Sequence, residues 1–488
     1  MRRLAPLSAA LIIAGCAATQ RAPFRPPPMP ARIPSISSHP LLKSRIDAML
    51  PDSLFPPSNV AIRILSLTTG EVLYDLNAGL AFTPASNQKL FTSATALSLL
   101  GPAYEFTTKT LYDTTVPPTV YVVGSGDPVL STADVDSLAG ALAAALPAGR
   151  DWTLAGDVSR FDDLARGPGW TWDDEPDPTA MFLSPLSLNG NAIRVLVRPG
   201  SRQGDSTIVT TDPETRYVTI ENSSVTAVDS PKSVLRISRK WREHSNTITV
   251  DGFMPPTDTL ESEYVSIAGP EWYTLTVLRE RLENRGIRCT GLILDSLAPE
   301  AVTVAGITHR LDSVLTYMNL ESDNLSAENI LKTLAAERFG PPGSTAVGSH
   351  LVAEFAARTG IDTTRVMIAD GSGVSRYNLT SAVAVTDLLV AMADSERIFS
   401  AWERTLPIAG VSGTLKRRMR GTAAEGNLHA KTGTLQGVSS LSGYVMTADG
   451  ERLAFSIIMQ HFPNAARPYR DVQDKIGAYL AGLRRPRF

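Results

Sequence analysis

The sequence predicts a mixed α/β catalytic domain built from both ends of the chain and interrupted by a large β-rich insertion. Three observations carry that expectation. A helix and a hairpin near the start have possible sheet partners only in strands and a helix near the end; the stretch between changes texture to short β-branched runs; and 488 residues are more than one core organises, which points to about two to four domains. Hydrophobic content of 43%, charged content of 19% and a net charge of -3 are ordinary for a globular enzyme, so neither disorder nor a nucleic-acid partner is favoured. The 6 histidines are scattered, with no His-Glu-x-x-His helix and no cysteine pair at zinc spacing. No metal or other cofactor is therefore expected.

Arg2 and Arg3, the apolar run from Leu4 to Ala14 and the small residues up to Cys16 have the layout of a secretion signal. Ile13-Ala14-Gly15-Cys16 resembles the bacterial lipobox, which implies lipidation at Cys16 and a signal over 1–16; a signal peptide that merely contains a cysteine is the other reading. Ala17 in place of aspartate resembles lipoproteins sorted to an outer membrane, so the expected location is periplasmic. Cys289 is the only other cysteine, so no intrachain disulfide is expected once Cys16 is acylated. Residues 17–37 are Pro-rich and read as an extended tether. No later run of about 20 apolar residues occurs, so the N-terminal lipid is the only membrane contact expected.

The catalytic domain is expected over 38–101 and 306–488. Leu41 to Leu50 has helical spacing, and the alternating runs Val60 to Ser66 and Glu71 to Asp75 flank Thr68-Thr69-Gly70 as a hairpin. Thr83-Pro84 then reads as the cap and first residue of a helix whose apolar face holds Leu90, Phe91, Ala94 and Leu97, and which Gly101 stops. Residues 102–305 form the β-rich insertion, in two subdomains, with Trp272 to Asn284 as its convincing helix. Helical patterning returns through Val314 to Arg338, His350 to Thr359 and Thr380 to Ser395. Strand-like runs Leu435 to Met446 and Leu453 to Gln460 and an amphipathic helix from Arg470 to Leu483 finish the chain.

Three short motifs occur in order: Ser86-Asn87-Gln88-Lys89, Ser322-Asp323-Asn324 and Lys431-Thr432-Gly433. Each is weak alone; the ordered set is specific. A serine hydroxyl needs a base, and a lysine becomes one only when its pKa is pulled down. Spacing of three on a helix lets Lys89 reach the Ser86 oxygen. Burial and a second cation, Lys431, would both disfavour protonated Lys89. Ser322 is expected across the cleft as a proton relay to the leaving amine, and Asn324 to orient Lys89 or bind substrate backbone. Asp323 is expected to point away. Along the strand opened by Lys431, alternation puts Lys431 and Gly433 on one face and Thr432 and Thr434 on the other. The backbone N–H groups of Ser86 and Thr434 are the expected oxyanion donors, with substrate added as an extra strand.

These residues resemble the low-molecular-mass class C penicillin-binding proteins, D-alanyl-D-alanine carboxypeptidases and endopeptidases. The resemblance extends to Gly124-Ser125-Gly126-Asp127-Pro128, Gly169-Trp170-Thr171-Trp172-Asp173-Asp174, Asp370-Gly371-Ser372-Gly373 and Gly413-Thr414-Leu415. It implies the penicillin-binding, β-lactamase-like transpeptidase fold, an antiparallel sheet flanked by helices. It also implies peptidoglycan stem peptides as substrates, β-lactams as inhibitors, Ser86 as acylated nucleophile, Lys89 as base, and Lys431, Thr432 and Thr434 as the carboxylate grip. Arg376, Asp174 and Gln436 match positions that contact the diamino-acid side chain; from the residues alone, Arg376 reads equally as a surface ion-pair partner and Asp174 as a turn cap. His429, two before Lys431, reads as a strand filler. A β-lactamase is the competing enzyme, but its Glu-x-x-Leu-Asn context is missing after Asn324, which predicts slow deacylation. An inactive wall-binding lipoprotein is the third reading, disfavoured by the intact serine and lysines.

Overall fold

The computed structural model describes residues 40–485, except 56, 116 and 228–231. Cys16, the signal over 1–16 and the tether over 17–37 lie outside the described residues. A five-stranded sheet brings the two ends of the chain together: Asn59–Ser66 pairs on one side with Val72–Leu76 and on the other with Arg452–Gln460, followed outward by Val438–Met446 and His429–Leu435. Every one of these pairings is antiparallel. His429–Leu435, which carries Lys431, is an edge strand.

The central strands are buried on both faces, as their apolar runs require. One face, through Ile62, Ile64, Phe455 and Ile457, packs on Tyr469, Val472, Ile476 and Leu480 of the helix Arg467–Ala481. The other core gathers Leu90, Phe91 and Leu97 of the helix Gln88–Leu99 with Val314, Leu315 and Met318, Ile330 and Leu334, and Leu388 of three further helices. Each such side chain contributes roughly 1.5–3 kcal/mol of transfer free energy. The nucleophile helix is therefore locked between sheet and helices, and the residues at its N-terminal end inherit that rigidity.

Three further sheets, of five, four and three strands, and their own apolar core make up the intervening region. Its first strand, Glu105–Asp113, and last, Val302–Arg310, are hydrogen-bonded neighbours, with Glu105 opposite Arg310. A cut at 305 would fall inside that last strand; the chain leaves and re-enters the catalytic domain through adjacent strands. The β-rich texture is as expected, but a second long helix, Thr132–Ala145, accompanies Pro270–Glu283. Its alanine-rich body hides the apolar stripe, though Ser131 and Asp134 form a capping box at its start.

Two helix boundaries also differ from the sequence expectation. Thr83-Pro84 does not open an α-helix: Ala85–Asn87 is a 3-10 turn, and the α-helix begins at Gln88. The helical run expected from Val314 to Arg338 is broken at Ser322, where φ is 61°, and Asp323 restarts it by accepting a hydrogen bond from the Ser326 N–H at 2.6 Å. Both breaks fall on motif residues.

Candidate active site

The nucleophile turn is held by the sheet. Ala85, immediately before Ser86, sits at φ 49°, a conformation rare for a residue with a Cβ. Ser440 Oγ donates to the Pro84 carbonyl at 2.8 Å, and Asn87 Nδ2 donates to Ser442 Oγ at 2.8 Å. From the opposite side Gly373, with φ +87°, presses so close that a Cβ there would lie 1.9 Å from the Ala85 oxygen. These contacts fix an otherwise unfavourable backbone and leave Ser86 half-buried, reachable from the cleft.

Lys89 lies one turn on and is 0% exposed. Its Nζ is 3.2 Å from Ser86 Oγ, 2.6 Å from Asn324 Oδ1 and 2.8 Å from the Ser372 carbonyl. Asn324 Oδ1 and the carbonyl can only accept. A neutral amine gives each of them one hydrogen and has its lone pair left for the Ser86 hydroxyl, the arrangement a general base needs. Burial brings the Lys89 pKa down to about 8, against the opposing pull of Asp323, Asp370 and Glu328.

Lys431, also 0% exposed, donates to Ser322 Oγ at 2.9 Å and to the Thr432 carbonyl at 3.0 Å. The left-handed backbone at Ser322 is what turns its hydroxyl toward this ammonium. Burial, and next the repulsion of Lys89, hold Lys431 well below the ordinary lysine range. Desolvation is the main cause for both lysines, and their mutual repulsion disfavours both being charged at once. Alternation along the edge strand is as expected, with Lys431 and Gly433 buried and Thr432 and Thr434 outward. A Cβ on Gly433 would meet Ser440 Oγ at 2.2 Å and the Ser86 nitrogen at 3.0 Å. Only glycine lets the edge strand approach the nucleophile this closely, which brings the backbone around Thr434 beside the Ser86 N–H. Thr432 Oγ1 donates to Thr414 Oγ1 at 2.8 Å.

Asp323 does not simply point away: besides capping its helix it contributes negative field at Lys89. Glu328, one turn after Asn324 on the same helix, was invisible to motif reasoning. It is fully buried and its Oε1 accepts from the Gly371 N–H at 3.0 Å and the Ser372 N–H at 2.8 Å. It therefore sets the carbonyl that Lys89 donates to. Burial, reinforced by Asp370, pushes its carboxyl up to about 8. The available signal was an acidic residue four positions after Asn324, on the same face of one helix. Asp370 braces the same turn, accepting from Gly373 N, Ser375 N, Asn378 Nδ2 and Trp170 Nε1.

The three residues assigned to the diamino-acid contact divide. Arg376 Nη2 donates to the Gln436 carbonyl at 2.9 Å, and both residues are exposed at the cleft rim. Asp174 accepts from the Thr171 N–H at 3.0 Å as a turn cap, and no hydrogen bond or ion pair joins it to Arg376 or Gln436 among the described residues. His429 makes a backbone bridge with Ile408, in keeping with a strand role. Among the described residues no group of three or more His, Cys, Asp or Glu side chains converges on a possible metal site.

A half-buried serine facing a neutral-poised lysine, with a second serine–lysine pair across the cleft, defines a serine acyl-transfer enzyme of the penicillin-binding fold. The chain belongs to the D-Ala-D-Ala carboxypeptidase 3 (S13) family, whose model matches residues 42–482. It is similar to the D-alanyl-D-alanine carboxypeptidase of Actinomadura sp. (strain R39), with 34% identity over 90% of this chain and 84% of that one. The D-alanyl-D-alanine carboxypeptidase DacB of Haemophilus influenzae is 26% identical over 82% of this chain and 84% of its own. The crystal structure of penicillin binding protein 4 (dacB) from Haemophilus influenzae superposes with a TM-score of 0.77 at 23% identity, covering 90% of this chain and 99% of that chain.

Proposed function

We propose that this chain hydrolyses D-alanyl-D-alanine-type peptide bonds of peptidoglycan stem peptides through an acyl-enzyme on Ser86, and that β-lactams acylate the same oxygen. The observation that carries the reading is Lys89 Nζ, buried, 3.2 Å from Ser86 Oγ and with its remaining hydrogens engaged by Asn324 and Ser372. Lys89 takes the Ser86 proton as Oγ bonds the carbonyl carbon, and the Ser86 and Thr434 N–H groups receive the oxyanion. The C–N bond then breaks, and the amine takes a proton relayed through Ser322 from the lysine pair, whose proton count is thereby restored. In the second half water adds to the acyl carbon and gives its proton to the pair; the acyl–oxygen bond breaks and Ser86 Oγ regains its proton. Lys431, Thr432 and Thr434 are the proposed carboxylate grip. Arg376, with the Gln436 backbone it holds, is the proposed side-chain contact, and Asp174 acts on that subsite only through the turn it caps.

Support for export is the N-terminal sequence: Arg2, Arg3 and the apolar run before Cys16 fit a periplasmic protein held at the outer membrane by a lipid on Cys16. Incubation with a labelled penicillin, followed by peptide mass analysis, tests the catalytic reading. A long-lived adduct on Ser86 is expected. Rapid drug turnover would instead mark a β-lactamase, and an unlabelled chain an inactive binder.

A further inference from the structure

Between the inserted region and the catalytic domain lies a cavity of about 670 Å³, lined on one wall by Ser322, Asp323 and Asn324 and on the other by Thr132, Arg194 and Tyr264. That volume is within the roughly 300–1,000 Å³ of small-ligand sites. Its position gives it meaning. Ser322 Oγ, held at 2.9 Å by Lys431 Nζ, is the group that faces the departing amine, so a space bordered by Ser322 lies on the side where the rest of the leaving group must go.

Within a lining that also holds the carboxylates of Asp212, Glu321 and Asp323, Arg194 has polar chemistry to spare. Arg194 donates from Nη2 to Ser262 Oγ at 3.1 Å, but its Nε is buried with no acceptor. Asp212 is its register partner across the strands, yet no ion pair joins Arg194 to any carboxylate among the described residues. Its guanidinium lies 5.9 Å from the ring centroid of Tyr264, a fork held ready for a planar anion. Tyr264, 53% exposed, comes from the inserted region; Tyr317, 46% exposed, comes from the catalytic helix Leu311–Glu321. Burial, with the negative charges of Asp323 and Glu321 nearby, raises the Tyr317 hydroxyl to about 12, so it stays a donor.

We infer that this cavity is the subsite for the leaving strand of a peptidoglycan crosslink, an acidic branched peptide whose carboxylate is taken by Arg194 and whose amide groups are taken by Tyr264 and Tyr317. The inference rests on the acyl-enzyme reading above and extends it. A single departing D-alanine has only a methyl and the carboxylate gripped at Lys431 and Thr432, and nothing of it extends past Ser322. A crosslink's leaving amine instead continues into a second stem peptide with carboxylates of its own. Arg194 and its neighbours thus separate endopeptidase from carboxypeptidase work on one nucleophile.

The test uses the full chain and its Arg194→Met and Arg194→Lys variants. Three rates are compared: cleavage of a crosslinked disaccharide-peptide dimer, release of D-alanine from an uncrosslinked pentapeptide, and labelling by a fluorescent penicillin. The expected result for Arg194→Met is a loss of about tenfold or more in kcat/KM for the dimer, chiefly in KM. Pentapeptide and penicillin rates should stay within about twofold, and Arg194→Lys should recover part of the dimer rate. Tyr264→Ala, at an exposed position, reads the same subsite if Arg194→Met fails to fold. Equal losses on dimer and pentapeptide, an unchanged dimer rate, or a wild-type chain that labels with penicillin but ignores dimers would overturn the subsite. Absence of penicillin labelling in the wild type would instead remove the acyl-enzyme reading beneath it.

Discussion

Raising the pH from 7 to 9 should accelerate acylation of Ser86, and the size of the effect follows from where Lys89 is buried. Only the neutral amine can accept the serine proton. Burial brings the Lys89 pKa down to about 8; below that value the active fraction falls tenfold per pH unit, and above it the fraction saturates. The neutral fraction is then about one-tenth at pH 7, one-half at pH 8 and nine-tenths at pH 9, a rise of about tenfold across the range. The assay is the second-order rate of labelling by a fluorescent penicillin under pseudo-first-order conditions, with circular dichroism at each pH to show that the fold persists. Lys89→Ala should keep the fold and abolish the labelling. A flat profile, an inflection near the ordinary lysine value, or residual acylation in Lys89→Ala would refute Lys89 as the base.

Asn324→Ala removes the 2.6 Å acceptor of Lys89 and should slow labelling by about 100-fold with little change in melting temperature; an unchanged rate would leave Ser372 as the sole guide of the amine. Gly373→Ala would place a Cβ 1.9 Å from the Ala85 oxygen at φ +87°, and should cost about 3 kcal/mol or more, read as a lowered melting temperature together with lost Ser86 labelling. Arg239→Met leaves the buried Glu175 with Arg166 as its remaining cationic partner, for an expected loss of about 3 kcal/mol; the double variant with Glu175→Gln should regain part of it, and a single variant as stable as the parent would contradict a paired buried charge.

Much of the site was legible because its chemistry depends on residue types at fixed local spacing. Ser86 and Lys89 are one turn apart, and Lys431 and Gly433 two apart on a strand, so side-chain direction follows from helix and strand geometry alone. The broken helix at Ser322 was not legible. Leu311 to Phe339 keeps apolar residues at helical spacing through the break, and the left-handed turn is held by a tertiary partner, Lys431, while Asp323 restarts the helix locally. Glu328 was missed for a related reason: its role exists only once the turn at Gly371 and Ser372, more than 40 positions away in sequence, packs onto its helix. Of the two readings open for Asp174, the turn cap is the one that local geometry makes visible, since a carboxylate three residues after Thr171 can satisfy the local backbone.

The inserted region bears on the chemistry through its loop from Trp170 to Leu183. Asn324 can hold Lys89 only if its amide is prevented from turning. The amide's other end donates to the Thr179 carbonyl at 2.7 Å, so both ends are fixed at once. Thr179 is fixed in turn because Met181 and Leu183 pack on Leu325 beside Asn324. Earlier in the loop, Glu175 is clamped between Arg166 and the buried Arg239 of the insertion's own sheet. Trp170 adds a second tie, donating to Asp370 at 3.0 Å, the carboxylate that braces the turn carrying the Ser372 carbonyl. Both acceptors of the Lys89 hydrogens are therefore stationed, directly or at one remove, by residues of the insertion. An apolar patch in place of the Glu175 cluster could give the loop comparable stability, but not the directional hold that keeps one amide oxygen on one amine.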